Sequence, residues 1–232
     1  MDPSEIISGI KLFIFLNAPG SNTTLKIFLK MILKQANSLS IQQIVYTNFL
    51  LSKMSEESRS AFSKALFVAL PVVFETQIQI QLDPDKINDI CDYLNFATKK
   101  NLSEKTTRLL TDALLSRHHK LSSQNAISVL WSLADVKKTY SYHQPLIEHC
   151  FRKITDSIDS LNSDQLSTTL SKCCRKYINR NQCFYNEDFV EALCGKFMSR
   201  YTNWKNTLYS LKRISILVSV VQLVCSIFCA YK

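Results

Sequence analysis

The chain has 232 residues and a formal net charge of +9, from 28 Lys and Arg against 19 Asp and Glu. Its three glycines are too few and too dispersed to build a P-loop or a G-x-G-x-x-G turn, both of which use glycine to bring backbone amides to phosphate. The composition therefore disfavours nucleotide-dependent catalysis. We expect a non-enzymatic protein without a cofactor or a small-molecule substrate, whose positive charge suits a polyanion or an anionic membrane surface.

Residues 1–22 are predicted to form a capping helix and a turn. The apolar run from Ile6 to Leu16 follows Asp2 and Glu5, whereas a secretory signal begins with basic residues. The first arginine is Arg59, so the N-terminus does not have the pattern of an Arg-rich mitochondrial presequence either.

Residues 23–212 carry a repeat with a period of about 40 residues. Each copy opens with a leucine, continues with Ser, Asn or Asp residues that can cap a helix, and then turns apolar at helical spacing. One helical hairpin cannot bury its apolar face alone, so such copies must stack on their neighbours. The sequence predicts an all-α fold, an α-solenoid of stacked helical hairpins. The copies begin at Leu39, Leu82, Leu121 and Leu161.

The predicted helices follow this period. A helix from Thr23 or Thr24 to about Asn37 is followed by the first repeat helix and by a longer helix that starts at Ser55-Glu56-Glu57-Ser58 and is kinked at Pro71. The alternating stretch from Gln77 to Gln81 is interpreted as frayed helix or linker. Paired helices are then expected at about 84–98 with 103–118, 123–136 with 144–159, and 163–177 with 186–201, before a decayed fifth copy that starts at Tyr201.

Residues 213–232 form a C-terminal apolar segment, in which Ile214 to Ala230 is a run of 17 residues without charge. The run has the shortest length that can span a membrane, so it could be a tail anchor. Ser215, Ser219, Gln222 and Ser226 form a polar stripe at helical spacing, which favours a packed terminal helix. Both interpretations stay open.

Basic residues recur where the first helix of each copy ends. Equivalent positions of a solenoid align along one edge, so these residues would form a stripe that suits phosphates. Tyr140, Tyr142 and Tyr177 are placed to stack on unpaired bases. The alternative is that each cation only stabilises the free carbonyls at a helix C-terminus. The candidate nucleic-acid-binding residues are Lys99, Lys100, Lys137, Lys138, Lys172, Arg175, Lys176 and Arg180, with Lys53 as an earlier member of the series.

No metal site or catalytic thiol is predicted. Arg117-His118-His119-Lys120 is the densest cationic cluster, but adjacent helical residues point about 100° apart, so a solvated turn is expected. The eight cysteines lie mostly on apolar helical faces, and we expect them to be reduced and buried. Trp131 is expected to pack in the core with its indole N–H bonded to one partner.

The stretch Asn125-Ala126-Ile127-Ser128-Val129-Leu130-Trp131-Ser132-Leu133-Ala134 resembles the helical repeats of the FAST kinase domain-containing family, which commonly run N-[IL]-x-x-[LI]-W-[AS]-[LF]-A. Plant and algal octotricopeptide proteins are similar. The resemblance implies an RNA-binding helical array in mitochondria that acts on transcript stability or processing, and so on mitochondrial gene expression. Despite the family name, the chain has no H-R-D or D-F-G signature. The family's C-terminal RAP segment is not recognisable, so activity that this segment carries is not expected.

Two functions follow from these patterns. The first is a non-catalytic helical-repeat protein that binds single-stranded RNA. The alternative is a HEAT-like or armadillo-like scaffold for a protein partner, held in a membrane if Ile214 to Ala230 spans one.

Overall fold

The computed structural model describes residues 1–16, 21–56, 60–135, 141–178 and 186–204. Within these residues the regular secondary structure is entirely helical, which confirms the all-α fold class. The α-helices there are α1 (Pro3–Leu16), α2 (Ser21–Lys34), α3 (Ile41–Lys53), α4 (Ala61–Gln81), α5 (Ile87–Lys99), α6 (Glu104–Ser116), α7 (Ser123–Asp135), α8 (Gln144–Asp156), α9 (Ser163–Ile178) and α10 (Glu187–Trp204).

The chain divides into two compact units, unit 1 (Met1–Leu110) and unit 2 (Thr111–Lys232). In unit 1, α1 packs on α2 and α3 packs on α4, while α3 lies between α1 and α5 and α2 lies beside α4. In unit 2, α7 packs on α8 and α9 on α10, while α7 lies beside α9 and α8 beside α10. Each unit therefore places the first helices of its hairpins in one layer and their second helices in another.

Three of the four predicted repeat starts share one local structure. A short 3-10 turn ends at an extended, buried leucine, and the next residue caps the following helix with its side-chain oxygen. Each cap oxygen accepts a hydrogen bond from the backbone N–H three residues later. Ser40 accepts from Gln43 at 3.3 Å, Ser122 from Asn125 at 3.1 Å and Asn162 from Gln165 at 2.8 Å. The starts at Leu39, Leu121 and Leu161 are thus confirmed as helix N-termini.

The start at Leu82 departs from this pattern. Leu82 is only half-buried and directly follows α4. Asp83 then holds a turn, in which its Oδ1 accepts from the Asp85 N–H at 3.1 Å and its carbonyl accepts from the Lys86 N–H at 3.2 Å. Because this turn takes up residues 83–86, α5 begins at Ile87 instead of at about residue 84.

Helix α4 also differs from its prediction. It begins at Ala61 because Ser60 and Ser63 form a reciprocal cap, so the predicted start at Ser55–Ser58 was too early. It continues through Pro71 and includes the stretch from Gln77 to Gln81, which is helix and not a linker. Within this stretch Ile78 is buried, and the Gln77 Nε2 donates to the Asn37 carbonyl oxygen at 3.1 Å.

Tyr201, where the sequence predicts the start of a decayed fifth copy, lies within α10. Residues 201–204 continue α10, which ends at Trp204 in the part of the chain that the structure describes. The rest of that copy, and the apolar run from Ile214 to Ala230, lie outside the described residues.

Each unit has an aromatic centre. In unit 1 the buried Phe74 ring lies 4.7 Å from Phe96 and 6.0 Å, edge-on, from Tyr93. In unit 2 the buried rings of Phe151 and Phe189 stack at 4.3 Å. Such rings contribute large buried apolar areas, and their tilted or stacked pairing adds about 1 kcal/mol each.

The surroundings of four cysteines are described. Cys91, Cys150 and Cys173 are buried, and Cys194 is half-buried. Burial, with a smaller effect of Asp92, raises the pKa of Cys91 to about 12, so this thiol stays protonated at neutral pH. For these residues the prediction of largely buried cysteines is confirmed, and the reduced state stays a prediction.

The outer face of α4 is apolar and open. Val68, Val72 and Ile80 keep 72%, 65% and 77% of their surface exposed, and only a third of the helix's most apolar stretch is buried. With 21 residues and a mean hydropathy of 1.4, α4 is long and apolar enough to cross a membrane, although a core helix of a soluble protein passes the same test. Among the residues that the structure describes, this face is therefore an open apolar surface of unit 1.

Candidate nucleic-acid interface

A groove of about 440 Å³ runs between α3 and α5 on the surface of unit 1. At its start the Gln42 Nε2 donates to Asp89 Oδ2 at 2.6 Å, and at its far end Ser52 and Lys99 line it. The two helices therefore run in the same direction along the groove, with their N-terminal turns at one end and their C-terminal turns at the other.

Two aromatic side chains of α3 form an open wall of this groove. Tyr46 and Phe49 keep 37% and 45% of their surface exposed, and their rings lie nearly parallel, 18° apart with centroids separated by 6.2 Å. The Lys53 Nζ stands 5.4 Å from the Phe49 ring centroid. An exposed aromatic pair next to an ammonium group can stack on a flat, electron-rich ligand and hold a nearby negative charge.

Helix geometry explains why these rings face outward. The buried face of α3 carries Ile44, Thr47 and Leu51, at the spacing of one helical face. Tyr46 and Phe49 are three residues apart and lie off that face, so they share a neighbouring exposed strip. This spacing was visible in the sequence, but the notable feature of the pair, its exposure, was not predicted.

The N-terminal half of the groove is acidic. Asp89 already accepts a hydrogen bond from Gln42, whereas Asp92 is exposed one turn further along α5. Desolvation by partial burial, and then the nearby charge of Asp89, raise the pKa of Asp92. The negative charge of Asp92 is therefore less well compensated by nearby positive charge than that of a carboxylate in an ion pair.

The C-terminal half is basic. Lys99, the last residue of α5, is exposed and lines the groove, and Lys53, the last residue of α3, stands above Phe49. The Asn48 side chain also lines the groove, and its Oδ1 is buried without a hydrogen-bond partner among the described residues. The groove thus changes from carboxylates to ammonium groups along its length, with the aromatic pair between them.

Lys100 does not face the groove. It is half-buried, and its Nζ lies 4.4 Å from the centroid of Phe67, a residue of α4. Desolvation lowers the pKa of Lys100. Although Lys99 and Lys100 are neighbours in the chain, Lys99 therefore lines the groove and Lys100 packs against an aromatic ring.

The α7/α9 face of unit 2 carries a similar combination. The Lys172 Nζ lies 6.0 Å from the centroid of the Trp131 ring, and the Trp131 Nε1–H donates to Thr169 Oγ1 at 2.9 Å. Trp131 is half-buried, so it lies at the edge of the core instead of within it, and its N–H has found the single partner that was expected. At the helix starts Gln165 Nε2 donates to Gln124 Oε1 at 2.6 Å.

The other candidate residues are only partly described. Arg175 and Lys176 belong to α9, but their side chains lie outside the description, as does that of Tyr177. Tyr142 is described and its ring lies 4.2 Å from that of His143. Outside the described residues altogether are Lys137, Lys138, Tyr140 and Arg180.

The histidine cluster forms an exposed turn, as expected. Residues His118–Lys120 make a 3-10 turn, in which His118 Nδ1 lies 2.8 Å from the Leu115 carbonyl oxygen. The His118 ring also contacts that of His149 edge-on, with centroids 4.7 Å apart. Among the described residues no three His, Cys, Asp or Glu side chains are arranged to hold a metal ion.

No protein-family model matches the chain, and no curated protein matches it significantly.

Proposed function

We propose that the chain is a non-catalytic helical-repeat protein that binds single-stranded RNA along the exposed face of its first helices. In this proposal the paired layers of the two units are segments of an α-solenoid with a period of about 40 residues. By its resemblance to the FAST kinase domain-containing family, the protein acts in mitochondria on RNA stability or processing.

The observation that carries the proposal is an aromatic ring next to a lysine on the first-helix face of each unit. Unit 1 has Phe49 with Lys53, and unit 2 has Trp131 with Lys172. Unpaired bases stack on aromatic rings, and lysines attract the phosphates that connect them. A duplex hides the faces of its bases within the stack, so this combination suits a single strand.

Helix capping alone does not account for the arrangement. A lysine that only stabilises a helix C-terminus gains no more than about 1 kcal/mol and does not require an exposed ring beside it. Tyr46 and Phe49 keep much of their surface in water in the folded protein, although burial is the usual source of stability from aromatic residues. Their exposure is better explained by a ligand.

The test is RNA binding by variants that reverse charge at the groove. Lys53→Glu with Lys99→Glu should weaken binding of a fluorescent 12-nucleotide single strand at least tenfold. The variant should also reduce the salt dependence, by about 0.7 in the log–log slope for each phosphate that is no longer neutralised. The matched control is Lys26→Glu with Lys30→Glu on α2, which makes the same change in net charge at two exposed lysines.

Two results would contradict the proposal. One is that the wild-type chain does not bind single strands at moderate salt. The other is that both double variants lose the same affinity, because the effect would then follow net charge and not the groove.

A protein-interaction scaffold is the second candidate, and the open apolar face of α4 favours it. Val68, Val72 and Ile80 form an exposed apolar strip of the kind that binds a partner helix. Val68→Gln with Val72→Gln would abolish capture of such a partner and, because the net charge does not change, leave RNA binding unchanged, so this pair of substitutions separates the two functions.

A further inference from the structure

The groove of unit 1 has a hydrogen-bonding pattern that a sequence-independent RNA site does not need. Phosphates and stacked rings require only its basic end and its aromatic wall. Its acidic half repels phosphate, yet Asp92 lines the same groove as Tyr46 and remains exposed. A carboxylate in an RNA-binding groove is useful where it meets the edge of a base.

The register of the two helices places Asp92 beside the aromatic wall. Gln42 is bonded to Asp89, so the residues one turn further along each helix, Tyr46 and Asp92, are opposite one another. Asn95 follows on α5 and lines the same groove. A base stacked on Tyr46 would therefore turn its edge toward a carboxylate and an amide.

The four bases differ in what they offer to a carboxylate. Guanine presents N1–H and N2–H side by side, and these two donors match the two oxygens of one carboxylate. Cytosine and adenine each offer an amino group beside a ring nitrogen that is an acceptor, and uracil offers one N–H between two carbonyls. Only with guanine can both carboxylate oxygens accept a hydrogen bond. With each of the other bases, one carboxylate oxygen would face an acceptor atom of the base.

We propose that the groove between α3 and α5 is a guanine-selective subsite. The base stacks on Tyr46 and Phe49, the Asp92 carboxylate accepts from its N1–H and N2–H, and the Asn95 amide donates to its O6. Lys53 and Lys99 hold the adjoining phosphates. This proposal rests on the proposed RNA-binding function and assigns it a base preference.

Asp89 acts as a positioning residue in this subsite. Its Oδ2 accepts the Gln42 N–H at 2.6 Å, which ties the start of α3 to the start of α5 and fixes the spacing of the groove. Asp92 then remains available to the base. Asp89 and Asp92 thus have different roles, although both are carboxylates on the same helix.

The experiment measures binding of four 9-nucleotide strands, U4-X-U4 with X as G, A, C or U, to the full chain. The wild type should bind the G strand about tenfold more tightly than the U strand, which is the discrimination expected of one good two-bond contact. Asp92→Asn replaces one acceptor by a donor, so the G advantage should fall below about threefold and adenine, which offers one donor and one acceptor, should gain.

The control is Asp188→Asn, the same chemical change at an exposed residue of α10, which should keep the G advantage. Equal binding of the four strands by the wild type would overturn the guanine subsite and leave the RNA-binding proposal intact. A G advantage that survives Asp92→Asn would also overturn it. If no strand binds, the proposed function itself fails.

Discussion

The α3/α5 groove of unit 1 and the α7/α9 face of unit 2 are built alike but hold their aromatic residues differently. Phe49 and Trp131 each stand ten residues after the buried leucine that opens their repeat, Leu39 and Leu121. The Phe49 ring is exposed, whereas Trp131 is half-buried and bonded to Thr169 on α9.

Because of this difference, the Phe49 ring offers more of its surface to a ligand than the Trp131 ring does. An indole whose N–H is bonded within the fold contributes to the packing of α7 on α9, and only part of its face remains for a base. A phenyl ring with almost half its surface in water contributes little to stability. In the proposed function, this repeat position mainly stabilises unit 2 and mainly binds the ligand in unit 1.

The largest expected effect comes from reversing the basic residues of unit 2. Lys137, Lys138, Arg175 and Lys176 changed together to Glu should weaken RNA binding by orders of magnitude and flatten its salt dependence, since up to four phosphates would no longer be neutralised. Fluorescence anisotropy at several salt concentrations measures both quantities. Affinity that survives this reversal would mean that these basic residues are structural and do not bind RNA.

The pH dependence of stability should distinguish the units, because all four histidines lie in unit 2. Burial lowers the pKa of His143 from 6.5 to about 4, so this side chain stays neutral in the folded protein. Between these values the unfolded chain binds a proton that the folded chain does not, and stability falls as pH falls, by about 3 kcal/mol in total. Burial, followed by the charge of His118, also lowers the pKa of His149 and acts in the same direction.

Hydrogen exchange at pH 7.5 and pH 5 would measure this difference. Core amides of unit 2, such as those of α8, should lose protection at the lower pH, and those of unit 1 should lose less. His143→Phe should remove most of the change. Equal losses in both units, or a pH dependence unaltered by His143→Phe, would show that another group is responsible.

Truncating the aromatic residues tests the comparison directly. Tyr46→Ala with Phe49→Ala should reduce RNA affinity by about 1 to 3 kcal/mol for each base that no longer stacks, with little change in the melting temperature. Trp131→Ala should instead lower the melting temperature, because it removes a half-buried ring and leaves Thr169 without its donor. If the Tyr46/Phe49 variant instead lost stability and the Trp131 variant instead lost RNA affinity, the roles that we assign to these side chains would be wrong.

The smallest expected effect concerns the capping of α6 by Glu75 of α4. Glu75 Oε1 accepts from the Ser103 N–H at 2.7 Å and from Thr106 Oγ1 at 3.2 Å. Burial raises the pKa of Glu75, but these hydrogen bonds outweigh burial and lower the pKa overall. The stabilisation of the fold by the Glu75 carboxylate is therefore present near neutral pH and is lost as pH falls through the lowered pKa. Glu75→Gln should cost about 1 kcal/mol in urea unfolding at pH 7, and a much smaller difference from wild type would remain at pH 3.

Local patterns predicted much of the fold. The leucine and the capping residue at positions 39, 121 and 161 located three helix starts, because a buried apolar residue next to a side-chain cap leaves few alternatives to a helix N-terminus. At Leu82 the same pattern predicted a helix start that is too early, since Asp83 and Pro84 favour a turn and α5 begins only after it. The stretch from Gln77 to Gln81 is interpreted from its sequence as frayed helix or linker, and the structure shows the helix: it is the C-terminal end of α4.

The candidate site was less predictable. Basic residues at helix ends were visible, but the sequence could not show that Lys99 lines a groove while Lys100 packs on Phe67. That separation depends on which neighbouring helix each side chain meets. The exposure of Tyr46 and Phe49 depends likewise on how far apart α3 and α5 lie, and this spacing is a property of the packed layers and not of either helix.

Photo-crosslinking to RNA, with the modified residues mapped by mass spectrometry, tests the central claim most directly. Full-length chain irradiated with a single strand that carries 4-thiouridine should yield adducts on α3, at Tyr46 or Phe49, and these should disappear in the Lys53→Glu, Lys99→Glu variant. Adducts confined to α2 or to the outer face of α4, or adducts on α3 that the double variant does not reduce, would contradict the account.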